Sequence, residues 1–159
     1  GIENFLSNCN ISGVDGIIVV YLPPEEDQEL CLPAIDAGIN FIRLITPTSD
    51  ETRLKKLMKN TSGFLYYVSI TGITGAASPT ADAIKSQIAR LKENSKLPIC
   101  VGFGVKNTET AKEIALIADG VVVGSAIVDE ISKNLSTSEI LSFCGNLAQA
   151  THSVVENEC

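Results

Sequence analysis

Five short runs rich in β-branched residues recur along the chain with helical patterns between them, and nothing else in the sequence limits the possible folds so strongly. They are "GIIVVYL" at 16–22, "NFIRLI" at 40–45, "GFLYYVS" at 63–69, "LPICVGFG" at 97–104 and "DGVVVGSAI" at 119–127. Most are apolar throughout rather than alternating. That is the pattern of strands covered on both faces, and hence of a parallel sheet.

The intervening segments carry helical spacing and helical end signals. The opening "GIENFLSNCNISG" places Ile2, Phe5, Leu6 and Cys9 on one side. "PPEEDQELCLPAIDAG" starts with proline and acids and ends at glycine, which suits the helix dipole and a left-handed cap. Pro33 is expected to kink it, and Glu25, Glu26 and Asp27 read as its negatively charged start rather than as catalysts. "SDETRLKKLMKN" aligns Leu54, Leu57 and Met58, and "TADAIKSQIARLKEN" aligns Ile84, Ile88 and Leu91. "NTETAKEIALIADG" opens with Asn107 as N-cap and Glu109 in the first turn. A short segment from Ser125 and the long "TSEILSFCGNLAQATHSVVEN" follow the last run. The order is one helix and then five βα units, an α/β domain with right-handed crossovers. The 159 residues suffice for a single domain, taken as 1–159.

Two architectures accept this order, an open doubly wound sheet and a portion of an eight-stranded barrel. The glycines favour the barrel. "GFG" ends the fourth run and "GS" ends the fifth, with a short helix directly after. Loops after strands seven and eight plus a short extra helix commonly form the phosphate site of barrel enzymes. Such a barrel takes roughly 250 residues, and five-eighths of that is about 156.

The net charge of −7 argues against nucleic-acid binding, which needs a basic surface against phosphate. The longest apolar stretches fall far short of the roughly 20 residues of a spanning helix. No signal peptide or membrane anchor is expected, and the compartment is read as cytoplasmic. Cys9, Cys31, Cys100, Cys144 and Cys159 are scattered, and His152 is the only histidine. A zinc site needs tighter grouping, so no metal is expected and the cysteines read as reduced.

The segment "SITGITGA" at 69–76 is neither a good strand nor a good helix, yet it directly follows an apolar run. Together with "GVDGIIVVYLPPEE", "GFLYYVSITGITGA" and "PICVGFGVKNTETAKEIALIADGVVVGSAIV", it resembles the alpha subunit of tryptophan synthase, in one register over about residues 1–135. The resemblance implies a fragment of a (β/α)8 TIM barrel of the ribulose-phosphate-binding type, strands four to eight with their helices. The first three βα units have no counterpart in these residues.

The resemblance further implies retro-aldol cleavage of indole-3-glycerol phosphate to indole and glyceraldehyde 3-phosphate. It implies docking on the beta subunit in an α2β2 heterotetramer. No cofactor is implied for this chain, since pyridoxal phosphate belongs to the beta subunit. The family's two catalytic carboxylates come from the second strand and the loop after it, so no catalytic residue is assigned here. The phosphate-binding positions map onto Gly75, Gly104, Gly124 and Ser125, and Tyr66 maps to a residue lining the substrate pocket. Thr71, Gly72 and Thr74 fall in the mobile lid, with Ile70 standing where many relatives carry arginine. Tyr67 is expected to point away from the pocket, under the helices. Tyr21 stands where the family usually has aspartate. Alternative readings are a non-catalytic binding or activating partner of the beta subunit, or another phosphate-binding barrel enzyme of amino-acid biosynthesis. The motif "ITGITGA" argues against the last.

Overall fold

The computed structural model describes residues 1–47, 49–68, 81–102 and 104–155. Helix α1 (Ile2–Ile11) precedes strand β1 (Gly16–Ile18), and four further strands follow, each after a helical connection. They are β2 (Asn40–Ile45), β3 (Leu65–Val68), β4 (Ile99–Gly102) and β5 (Gly120–Val122). Their spatial order is their sequence order, and every neighbouring pair is parallel. The helices are α2 (Cys31–Asp36), α3 (Glu51–Met58), α4 (Ala81–Asn94), α5 (Thr108–Ala115), α6 (Ser125–Ser132) and α7 (Thr137–Val155). The expected βα alternation is thus present, as a half-barrel.

Burial alternates most clearly along β3. In β3, Leu65 and Tyr67 are buried while Tyr66 and Val68 are half-buried. Leu65, Tyr67, Ile99 and Val101 join Leu54 and Leu57 of α3, Ile88 and Leu91 of α4, Ala111 and Ile114 of α5 and Leu147 of α7 in one core. Each side chain of this size contributes roughly 1.5–3 kcal/mol when fully buried. A second core under β1 and β2 gathers Leu6, Cys9, Cys31, Ala34, Ile39 and Phe41. The expectation of strands buried on both faces holds for β2, where Phe41, Ile42 and Arg43 are buried in succession, and is corrected for β1, β3 and β5, which are half-buried or exposed on at least one face. β1 and β5 each pair on one side, and the described sheet does not close into a ring.

Helix starts follow the local chemistry. Asp50 accepts a hydrogen bond from the Arg53 backbone N–H (2.7 Å), and Asn107 accepts one from Thr110 N–H (2.9 Å). Two local expectations are corrected. The segment 23–38 is not one kinked helix: Pro24–Glu26 forms a 3-10 turn, and α2 begins only at Cys31. Pro33 lies in the first turn of α2, where its missing N–H costs nothing. On α1, Leu6 and Cys9 are buried but Ile2 and Phe5 are exposed.

Candidate functional site

Because β4 and β5 are parallel neighbours, the loops after their carboxyl ends open on the same side of the sheet. Gly104 lies in the first of these loops with φ +77°, a conformation strained for any residue with a Cβ. Gly124 lies in the second, immediately before α6. Its carbonyl accepts from Ile127 N–H (2.9 Å) and Val128 N–H (3.2 Å), and no side chain caps the helix. That leaves the N–H groups of exposed Ser125 and of Ala126, the first two of α6, without a partner inside the helix. A Cβ added at Gly104 or Gly124 would meet nothing within 4 Å, so the ground above both is open. Backbone N–H groups, a hydroxyl and the positive end of a helix can together hold a dianion without lysine or arginine. Gly75 and the lid positions Thr71, Gly72 and Thr74, with Ile70, lie outside the described residues.

Tyr66 projects from the inner face of the sheet, and its neighbour Tyr67 is buried beneath the helices as expected from alternation. The Tyr66 ring lies against Gly102. A Cβ at Gly102 would come within 2.0 Å of the Tyr66 hydroxyl and 2.4 Å of Cζ. Burial pushes the Tyr66 phenol above its ordinary pKa, so at neutral pH it is protonated and able to donate. One strand over, Cys100 lies against Gly120 in the same manner, with its Sγ 2.7 Å from where a Cβ would sit. Burial, and secondarily Asp119, push the Cys100 thiol upward. The role of Gly102 was missed in reading the sequence. Its signal is a glycine inside a strand, which often marks the close approach of another group.

Asp27 also requires correction. It is not a solvated helix start but is 5% exposed and ion-paired with Arg43 of β2, itself 3% exposed. Asn60 Nδ2 donates to Asp27 Oδ2 (2.7 Å), and Arg43 Nη1 donates to the Leu22 carbonyl (2.8 Å). Charged side chains are seldom fully buried without a partner. An arginine within the apolar run "NFIRLI" therefore called for a buried acid, and that signal was in the sequence. Next to this network, at the carboxyl ends of β1 and β2, lies a cavity of about 370 Å³. Its wall includes Tyr21, Leu22, Arg43, Ser49 and Arg53. Tyr21 is 94% exposed.

Parallel strands in sequence order with helices on one face, glycine turns at their carboxyl ends and a short helix opening directly off the last strand define a partial (β/α)8 barrel. The family of the tryptophan synthase alpha chain matches residues 1–152. The chain belongs to that family. Among solved structures, the tryptophan synthase alpha chain from Legionella pneumophila subsp. pneumophila is 34% identical with a TM-score of 0.80, over 99% of this chain and 58% of that one. Tryptophan synthase from M. tuberculosis is 28% identical with a TM-score of 0.82, over 95% of this chain and 56% of that one. Tryptophan synthase subunit alpha from Campylobacter jejuni is 30% identical with a TM-score of 0.76, over 95% and 58%. The chain thus spans somewhat under three-fifths of the length of these structures. No helix among the described residues is long and apolar enough to cross a membrane.

Proposed function

We propose that these residues form the phosphate-gripping part of a tryptophan synthase alpha chain that cleaves indole-3-glycerol phosphate to indole and glyceraldehyde 3-phosphate. The observation that carries this reading is the start of α6, which no side chain caps, following β5 while Gly104 follows the neighbouring parallel strand β4, with open space over Gly104 and Gly124. The substrate phosphate is held by backbone N–H groups at Gly104, Gly124 and Ser125, by the Ser125 hydroxyl and by the α6 dipole. Gly75 is the remaining member of the grip that the family resemblance implies. Tyr66 lines the inner wall along which the rest of the substrate extends, and Thr71, Gly72 and Thr74 are the lid positions that the family resemblance implies.

The reaction needs a proton donor at the indole ring carbon and a negative partner for the ring nitrogen. Both carboxylates belong to the part of the barrel outside these 159 residues, so this chain by itself binds but does not turn over. In the whole enzyme the alpha chain docks on a beta subunit in an α2β2 assembly, and pyridoxal phosphate is held by that subunit.

The test has two arms. Inorganic phosphate titrated into 15N-labelled protein is expected to shift the amides of Gly104, Gly124 and Ser125 and to leave β1 unmoved; shifts confined to other residues would remove the phosphate assignment. Indole release from indole-3-glycerol phosphate by the purified chain should equal a buffer blank. Release above the blank, free of host enzyme, would place the acids within these residues. Joining the chain to the preceding part of a related alpha chain should restore release.

A further inference from the structure

The segment Val19–Leu22 continues β1 past its carboxyl end and overhangs the cavity of about 370 Å³. Val19 and Leu22 pack onto the second core, while Val20 and Tyr21 are exposed. Past the end of the β1 ladder, a side-chain hydrogen bond ties this segment to β2: Arg43 Nη1 donates to the Leu22 carbonyl (2.8 Å). Arg43 is itself held by several groups. Its Nη2 pairs with Asp27, its guanidinium stacks over the Phe41 ring at 4.8 Å, and Asn60 steadies the other oxygen of Asp27. Cys31 Sγ donates to the Asn60 carbonyl at 3.4 Å, so the end of α3 and the start of α2 are drawn into the same knot.

Stability alone is a poor account of this arrangement. Arg43 Nε is buried with no partner, and an unsatisfied buried donor carries a desolvation cost. Buried ion pairs can commonly be replaced by apolar groups of similar volume with no loss of stability. A charged fork is distinguished from an apolar filler by its ability to hold a backbone carbonyl in a fixed place.

We propose that Arg43 is a positioning residue that fixes the carboxyl mouth of β1. Through the Leu22 carbonyl it sets the path of Val19–Leu22, and Asp27 and Asn60 aim it. This rests on the reading that substrate enters at the carboxyl ends of the strands. The loop after β1 then forms one wall of the entrance, on the opposite side from the phosphate grip of Gly104, Gly124 and Ser125.

The informative variant is Arg43→Met combined with Asp27→Leu, which removes both charges and keeps the volume. It is expected to melt at or above the parent temperature. The backbone 15N order parameters of Val19–Leu22 should fall from about 0.85 toward 0.6, while those of β4 and β5 stay unchanged. A second variant, Arg43→Lys, keeps the charge facing Asp27 but cannot fork to Leu22. It should show the same local loosening with the parent's melting temperature, and it serves where the double variant fails to fold. Unchanged order parameters in a folded variant, or a loosening spread evenly over the whole sheet, would overturn the proposal. In a barrel completed with the preceding part of a related alpha chain, kcat for indole release should fall about 10- to 100-fold in either variant, with phosphate affinity unchanged. If the completed parent releases no indole, the functional reading fails, whereas the order parameters still decide the positioning role.

Discussion

Gly102→Ala tests the inner wall of the barrel most directly. The new Cβ would lie 2.0 Å from the Tyr66 hydroxyl, 2.4 Å from Cζ and 2.8 Å from Cε1, where ordinary contact begins at 3.4 Å. The ring must therefore retreat by more than 1 Å, and it is too rigid to do so by bending. Overfilling of this kind typically costs about 1–3 kcal/mol. For a chain of this size that is a fall of roughly 2–12 °C in melting temperature, at about 2–4 °C per kcal/mol. Tyr66→Phe should not rescue the variant, because Cζ and Cε1 remain in the way. Tyr66→Ala should, since it removes the whole ring. The assay is a double-mutant cycle by urea or thermal unfolding with Gly102→Ala, Tyr66→Ala and the pair. A coupling of about 1–3 kcal/mol in the relieving direction is expected. If the two changes add within about 0.3–0.5 kcal/mol, the ring does not rest on Gly102 and the reasoning about this wall is wrong. The same displacement moves Tyr66 out of the proposed substrate path, so the single variant should also weaken substrate binding in a completed barrel.

Gly104→Ala meets no steric obstacle, so its cost is backbone strain alone, about 1–2 kcal/mol; an unchanged melting temperature would show that the left-handed conformation at Gly104 is dispensable. Ser125→Asp sets a negative charge at the uncapped start of α6 and should abolish phosphate-induced amide shifts without unfolding the chain, whereas parent-like affinity would remove Ser125 from the grip. Asp119 accepts from Ile99 N–H (2.9 Å) and pairs with Lys92 (2.9 Å). Burial works against its ionisation, but these two partners prevail and hold its carboxyl below the ordinary value of 3.8. A carboxyl with a depressed folded pKa contributes stability that is full above 3.8 and lost as pH falls through the folded value. The acid side of the parent's stability curve should therefore be steeper than that of Asp119→Asn; because both partners are half-exposed, the difference should shrink in high salt.

What the sequence settled by itself was the local and periodic part of the fold. Largely apolar runs at 40–45 and 97–102, the N-cap Asn107 and the alternation that separates Tyr66 from Tyr67 are properties of neighbouring residues, and each stands in the structure where its spacing put it. The glycines after β4 and β5 were legible for the same reason, because a turn needs them whatever lies across it. Only the tertiary structure decided which groups meet across long stretches of chain. Asp27 and Arg43 are sixteen positions apart and Asp27 and Asn60 thirty-three. The acid that looked like a solvated helix start became the buried partner of a strand arginine only when β2 was laid beside β1. The pairing of Tyr66 with Gly102 likewise arises from the register of β3 on β4, which places Val68 opposite Gly102 and lets the ring reach over the missing Cβ. Sequence periodicity records which face a residue takes, since that is fixed by the backbone repeat. What occupies the space above that face depends on packing between elements, and no local spacing encodes it.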